Sequence, residues 1–339
     1  MATKQKDVKI ATLGSHSALQ ILKGAKDEGF ETILVCKKSQ VKPYKMFNLA
    51  DEIIVVDSFK DFWSVEDRLV KENAVLIPHG TLAAYTDVKE IKKSKLMYFG
   101  SKDILEWEAS RLKQKEWLTK AGLRQPLYFD NPEDIDRSVI VKFYGAAGGK
   151  GYFVANSAKD FYKKIAPHKN DKHIIQEYII GVPIYNHYFQ SPLKNQIELM
   201  GFDKRYESNV DSLGRISARD QIALKSVDPS YVITGNIPLV IRESFLPEVF
   251  DIGENIVKAS EKLAKRGLFG PFCAETIITP EKEIYTFEIS ARIVAGTNPY
   301  VQGSPYTQLM WDEPMSTGRR IAREIKTAIA QNKLRKVLG

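Results

Sequence analysis

Cysteine is nearly missing from this 339-residue chain, which has only Cys36 and Cys273. They stand far apart, and neither belongs to a Cys-x-x-Cys pair or a spaced Cys/His set. A disulfide framework and a structural zinc are therefore excluded as the basis of the fold, and both thiols read as buried and apolar. No run of eighteen uncharged apolar residues occurs either, and the opening MATKQKDVKIATLG lacks an apolar core before a small-residue cleavage site. No membrane span or export signal is expected, and the chain reads as cytoplasmic. A Lys/Arg-rich tail is absent too. The net charge of +8 is dispersed along the sequence, which argues against nucleic acid as a partner and leaves local positive charge for small phosphorylated ligands.

What is present is an ordinary globular composition, 43% hydrophobic and 27% charged, long enough for two or three modules. Apolar runs at Val8 to Leu13, Thr32 to Cys36, Ile53 to Val56, Val75 to Ile77 and Leu96 to Phe99 alternate with helix-compatible stretches. That alternation predicts a doubly wound parallel sheet over residues 1–100. A helix capped by Ser101 and running through Trp107, Leu112 and Trp117 to Gly122 is expected to form a connector over 101–125. From Val139 onward strand-like runs dominate, with helices expected at Ala158 to Ile165, Leu246 to Lys265 and Arg319 to Gln331. The fold class expected is α/β plus α+β, with an antiparallel second half over 126–339 and no internal repeats.

Two stretches carry chemistry. In VIVKFYGAAGGKGYF, Lys142 ends one strand and Tyr152-Phe153 begins another across a loop with Gly145, Gly148, Gly149, Lys150 and Gly151. Backbone N–H groups of such a loop can approach phosphate oxygens closely. It is no Walker loop, because Gly151 rather than Ser or Thr follows Lys150 and the next segment reads as strand. A plain glycine-rich hairpin with exposed lysines fits the loop by itself. The second stretch, GPFCAETIITPEKEIYTFEISAR, sets Glu275 and Glu288 in neighbouring apolar runs joined by a turn near Pro280 to Glu283. A hairpin there would bring both carboxylates to one place, a pair suited to Mg²⁺ or Mn²⁺ bridging nucleotide phosphates.

Lys142, the glycine loop, the run Gln176-Glu177-Tyr178-Ile179 and the pair Glu275 and Glu288 followed by Arg292 resemble the ATP-grasp superfamily in its usual order. The resemblance implies an ATP-grasp fold behind an N-terminal preATP-grasp domain, divided into a nucleotide-binding part over about 126–182 and a catalytic part over about 183–339. It also implies that Lys142 and the loop glycines bind ATP phosphates, that Glu177 to Ile179 line adenine and ribose, and that the two glutamates hold the metal. Arg111 falls where another phosphate-contacting lysine is common. Segments from GSHSALQILKGAKDEGF through IPHGTLAAY, DKRYESNVDSLGRI, GNIPLVIRESFLP, GPFCAE and FEISARIVAGTN to GRRIAREI are similar to the archaeal PurP family of formate-dependent 5-formaminoimidazole-4-carboxamide ribonucleotide (FAICAR) synthetases.

That similarity implies a C–N bond-forming ligase of purine (IMP) biosynthesis. Its partners would be ATP, formate and 5-aminoimidazole-4-carboxamide ribonucleotide (AICAR), and homo-oligomerisation is left open. Position by position, His16, Ser17, Thr81 and Asn236 would touch AICAR and Glu207 would assist nucleotide binding. Arg292 would stabilise an oxyanion, with His16 as the candidate base. By residue type alone, His16 can instead cap a helix, Thr81 satisfy a turn, and Asn236 occupy a left-handed turn beside Gly235. The sequence departs from the family pattern with Thr81 for serine, Ser101 for asparagine, Ala147 for a basic loop residue and Ser217 for proline. Ser290 stands where many superfamily members place a metal-binding asparagine.

Overall fold

A computed structural model of the chain describes residues 4–144, 151–207, 209–224 and 232–339. Five short strands, β1 (Lys9–Leu13), β2 (Glu31–Lys37), β3 (Glu52–Val56), β4 (Ala74–Leu76) and β5 (Met97–Tyr98), form a parallel sheet in the order β3-β2-β1-β4-β5. Helices cover both faces, so its central strands read as nearly unbroken apolar runs, as Ile33 to Cys36 do. The order reverses between β1 and β4, and a doubly wound sheet opens its ligand crevice at that point, beyond the strands' carboxyl ends.

Two antiparallel sheets follow. One is β6 (Tyr128–Phe129), β7 (Val139–Phe143), β8 (Tyr152–Ala155) and β9 (His173–Glu177), ordered β6-β9-β7-β8. The other contains β10 (Val182–Ser191), β11 (Gln196–Glu207), β12 (Ile233–Leu239), β13 (Gly270–Ile278) and β14 (Ile284–Ser290), ordered β12-β11-β10-β13-β14. Side chains alternate across this last sheet. Ile184, Tyr188, Leu199, Phe202, Phe272, Ala274 and Ile289 meet Val249, Ile252 and Ile256 of the Leu246–Leu263 helix in the main core. Burying each such side chain contributes roughly 1.5–3 kcal/mol. The opposite face carries Tyr185, His187, Asp203, Arg205, Asn236, Glu275, Glu288 and Ser290. A polar face that is buried rather than solvated is where the site must be sought.

The last helix, Thr317–Ala330, lies against the Ala18–Asp27 helix of the first sheet. Gly24 and Gly318 permit this approach, since a methyl group on either would overlap the other helix's backbone. Arg319 and Arg323 reach the buried Glu28, while Arg320 pairs with Glu198 of β11 and with Glu324. One helix thus ties the first sheet to the third, and the crevice between them has fixed walls.

The connector differs from expectation. It is two helices, Leu105–Glu108 and Arg111–Lys120, because Ser110 rather than Ser101 provides the N-cap, its hydroxyl accepting Lys113 N–H. The break turns Glu108 toward β14, where its carboxylate accepts Ala291 N–H at 3.1 Å. Gly145, Ala147, Gly148, Gly149 and Lys150 of the glycine loop lie outside the described residues. Among the described residues no helix is long and apolar enough to cross a membrane.

Candidate active site

Strand β1 ends in Gly14-Ser15-His16-Ser17 and β4 runs out into Pro78-His79-Gly80-Thr81, so both segments open at the crevice of the first sheet. His16 adopts φ of 55°, a left-handed conformation that carries its ring out of the strand direction to stack on His79, with centroids 5.7 Å apart. A methyl group on Gly80 would overlap the His16 ring, so glycine there admits the stack. His79 is fully buried. A carbonyl can only accept and an amide can only donate, so its Nε2–H donates to Leu13 O (2.9 Å) and its Nδ1 accepts Thr81 N–H (3.2 Å). Desolvation holds the His79 pKa at about 3 despite the bond to Leu13. Desolvation, followed by the charges of Arg292 and Arg205, brings His16 to about 4, although its ring has an open side to solvent. Both rings are neutral at physiological pH, and His16 can accept a hydrogen bond or a proton. Ser17 is buried at the start of the first helix, and its hydroxyl lacks a partner although its position is the N-cap.

On the polar face of the third sheet, Glu275 and Glu288 stand directly opposite each other in the β13–β14 register. Direct cross-strand partners point to one face. Arg205 donates from Nη2 to Glu275 Oε1 at 2.6 Å and lies over the Tyr185 ring, 3.7 Å from its centroid. Burial opposes the Arg205 charge, but Glu275 and then Tyr185 keep its pKa well above the usual arginine value. Glu288 is pushed up from the ordinary glutamate range by burial and then by Glu275, against the weaker pull of Lys142, Arg205 and Arg111. Desolvation and the facing carboxylate thus outweigh the pull of three cations on Glu288. Among the described residues no group of three or more His, Cys, Asp and Glu side chains gathers as a metal site. Two adjacent carboxylates suit a hard cation whose remaining ligands are phosphate oxygens and water.

Lys142, on β7 of the second sheet, reaches across to β14, its Nζ 5.3 Å from the Phe287 ring centroid. Desolvation lowers its pKa to about 8 against the attraction of Glu288, with Arg111 lowering it further and Glu275 opposing. Arg111 begins the second connector helix and acts electrostatically on both Lys142 and Glu288. Gly151 takes φ of 74° where the chain re-enters β8, and its carbonyl accepts Phe143 N–H. The Glu177 carboxylate is already engaged, with Arg137 at 3.0 Å and Leu127 N–H at 3.1 Å, and the Glu177 and Tyr178 N–H groups donate to Leu127 O and Ser138 O, so any backbone offered to a ligand lies beyond them, toward Ile179. Glu207 ends β11, and burial followed by Asp211 raises its pKa to about 6.

Arg292 is paired with Glu108, Nε to Oε1 2.9 Å, and its charge reaches His16. Asn236 lies on β12, an edge strand, where Nδ2 donates to Asp203 Oδ2 at 2.7 Å. The Ala295–Tyr300 turn spans the two ends of the crevice. Asn298 donates to His16 O (2.9 Å), while Gly296 sits so close to Asp203 that a methyl group there would overlap its carboxylate. Charges link His16 to Arg292 and Arg205, and Glu288 to Glu275, Lys142, Arg205 and Arg111, while Asn236 joins through Asp203 and Ser17 and Thr81 lie buried beside the two histidines. Sequence reasoning overlooked His79, Glu108, Tyr185, His187, Asp203 and Arg205. The one available signal was the i, i+2, i+4 spacing of Asp203, Arg205 and Glu207 along β11, which sets all three on one face.

Two family models match the chain, a domain of unknown function (DUF1297) over residues 155–339 and a protein of unknown function (DUF1246) over 10–129. The 5-formaminoimidazole-4-carboxamide-1-(beta)-D-ribofuranosyl 5'-monophosphate synthetase of Pyrococcus abyssi is 53% identical over 341 residues, covering 98% of each protein. Its namesake in Pyrococcus horikoshii is 52% identical, covering 98% of this chain and 99% of that protein. The crystal structure of an IMP biosynthesis protein PurP from Thermococcus kodakaraensis superposes with a TM-score of 0.78 at 28% identity, over 97% of this chain and all of that one. An ADP complex of purK, N5-carboxyaminoimidazole ribonucleotide synthetase, superposes with a TM-score of 0.69 at 15% identity, over 96% of this chain and 79% of that one, a likeness of fold alone. The fold is ATP-grasp, and at such identity over nearly the whole length the chain belongs to the 5-formaminoimidazole-4-carboxamide ribonucleotide synthetase family.

Proposed function

We infer that the protein formylates AICAR to FAICAR with formate and ATP, as a ligase of purine biosynthesis. The observation that carries this reading is the facing pair Glu275 and Glu288, with Lys142 on one side and the His16 crevice on the other. Formate is a poor electrophile, since its carboxylate is charged and resonance-stabilised. Attack of a formate oxygen on the γ-phosphorus of ATP breaks the β–γ bridge, giving formyl phosphate and ADP. The AICAR amine then adds to the formyl carbon, and loss of phosphate and a proton leaves the amide.

Lys142 and Arg111 place positive charge near the transferring phosphoryl group, and the Glu177 to Ile179 segment lines the adenine and ribose. Gly151 stands at the phosphate end of the glycine loop, whose Gly148, Gly149 and Lys150 lie outside the described residues and by the family resemblance would bind the phosphates, and Glu207 assists on the nucleotide side. Glu275 and Glu288 would hold Mg²⁺ or Mn²⁺, which when bound neutralises phosphate charge. At the other end Ser17, Thr81 and Asn236 hold the ribonucleotide. His16, neutral above about pH 4, takes the amine proton. Arg292, held by Glu108, faces the oxyanion that develops on the formyl oxygen as the amine adds to the carbon.

The test is incubation with ATP, formate and AICAR, omitting each in turn and identifying products by mass. ADP and FAICAR are expected only from the complete mixture. ADP release with another carboxylate or another aminoimidazole nucleotide, and not with formate and AICAR, would overturn the substrate assignment while leaving the ligase reading intact.

A further inference from the structure

A buried carboxylate that, among the described residues, forms no ion pair with an arginine or lysine lies on the polar face of the third sheet. Asp203 is 1% exposed and both its oxygens are taken, Oδ1 by His187 Nε2–H and Oδ2 by Asn236 Nδ2, each at 2.7 Å. His187 is equally buried, and its other nitrogen, Nδ1, has no partner. Gly296 closes over both side chains, and a methyl group there would overlap each of them. Such an arrangement is a poor stabiliser. Burying a carboxylate costs several kcal/mol, two hydrogen bonds return only part of that, and the unsatisfied imidazole nitrogen adds a further cost.

What the arrangement does achieve is geometric. A carboxylate accepts and does not donate, so the Asn236 amide must turn its NH2 toward Asp203, and its carbonyl oxygen is presented away from it. Asn236 sits on an edge strand, where little else would hold its side chain. The imidazole in turn holds the carboxylate from the far side, supported by β10.

We propose that His187 and Asp203 are positioning residues that lock the Asn236 amide with its oxygen outward, so that the acceptor nucleotide must present a hydrogen-bond donor at this point. This rests on the reading of Asn236 as an AICAR contact. A site with an orientated acceptor discriminates strongly against a ligand that offers an acceptor in the same place, because two lone pairs then face each other. The chemistry selected for is an amino, carboxamide or hydroxyl group, and the chemistry rejected is a carboxylate.

D203L is the informative variant. Its side chain has a similar shape but accepts no hydrogen bond, so the Asn236 amide loses its partner and is released whichever tautomer His187 adopts. AICAR affinity measured by calorimetry is expected to fall about tenfold or more, with ATP affinity unchanged. In an N236A background the same substitution should have no further effect, because the relay acts only through Asn236. Additive losses in the double variant, or unchanged AICAR affinity in D203L, would overturn the proposal.

Should D203L fail to fold, H187Q and H187F supply the same contrast. Gln keeps a donor near the Nε2 position and should hold AICAR affinity within about threefold, whereas Phe should lose it, and equal behaviour of the two would refute the relay. The relay is also read without ligand. The Asn236 side-chain NH2 protons should be protected from exchange in the wild-type protein, and rapid exchange there refutes it. Failure of the wild-type protein to bind AICAR, with those protons protected, would instead remove the substrate reading.

Discussion

Glu288→Gln separates the stability of the fold from its function. In the nucleotide-free protein Glu288 is pressed against Glu275 across the β13–β14 register, and burial together with that repulsion outweighs the attraction of Lys142, Arg205 and Arg111, because the net pKa shift is upward. A group whose folded pKa lies above its unfolded value destabilises the fold as pH rises past the unfolded value, since the unfolded chain releases the proton more readily. Like charges directly opposite on a strand pair cost roughly 0.2–1 kcal/mol. The isosteric Gln removes this cost, so the variant should melt at the same temperature as wild type near pH 4 and somewhat higher at pH 8, measured with a chelator present. Binding should respond in the opposite way. A bound cation supplies several kcal/mol of charge stabilisation in phosphoryl transfer, and each 1.4 kcal/mol or so is a factor of ten. Formate- and AICAR-dependent ADP release should therefore fall by at least about two orders of magnitude. The rise in melting temperature that Mg·ADP gives wild type should shrink as well. Normal turnover by the variant would refute the reasoning, as would destabilisation at pH 8 that is undiminished at pH 4, the mark of a structural hydrogen bond rather than a repelled charge.

Lys142 is held near pKa 8 against its usual 10.5, and phosphates favour the ammonium form. ATP affinity should therefore be level below pH 8 and fall roughly tenfold per unit above it; calorimetry showing no change up to pH 9.5 would contradict this, and K142M should abolish the dependence. H16A is expected to raise the KM for AICAR about tenfold or more and leave that for ATP unchanged. Because His16 titrates near 4, wild type should show no rate limb from it between pH 5 and 7.5; equal effects of H16A on both substrates would reduce the residue to a helix cap. For Glu28, burial raises the pKa, but hydrogen bonds from Arg323 and Arg319 bring it from 4.5 to about 2. That shift is worth on the order of 3 kcal/mol of stability above pH 4.5, lost as pH falls through 2. E28Q should lose that amount in urea unfolding at pH 7, and the deficit should narrow at pH 3.

The parts of the site that the sequence disclosed are those where local chain geometry carries the chemistry. An apolar run ending in Gly-Ser-His-Ser can be read as a strand opening at a doubly wound crevice without knowledge of anything distant. Two apolar runs joined by a short Pro-containing turn can be read as a hairpin, which is why the Glu275 and Glu288 pairing was legible. Strand β12 was not legible, because Thr234-Gly235-Asn236-Ile237-Pro238 has turn composition. It is a strand only because it forms the edge of the sheet, the one place where a proline's missing N–H goes unneeded.

His187, Asp203 and Arg205 were hidden for a different reason. They stand in mixed polar runs, Asn186-His187-Tyr188 and Phe202-Asp203-Lys204-Arg205-Tyr206, and such runs ordinarily mark a face turned to water. Here a second wall, formed by the Ala295–Tyr300 turn and the first sheet behind it, covers that face. The wall is held by contacts between residues nearly the whole chain apart, such as Gly24 against Gly318 and Glu28 against Arg323. Sequence periodicity states which residues share a face but not what lies across from it. In this fold the distinction decides function, because an acid or imidazole facing water would be an ordinary surface group, whereas the same residue facing a second wall is desolvated and fixed in orientation. The chemistry of the crevice depends on the closing of two modules by one C-terminal helix as much as on the residues that line it.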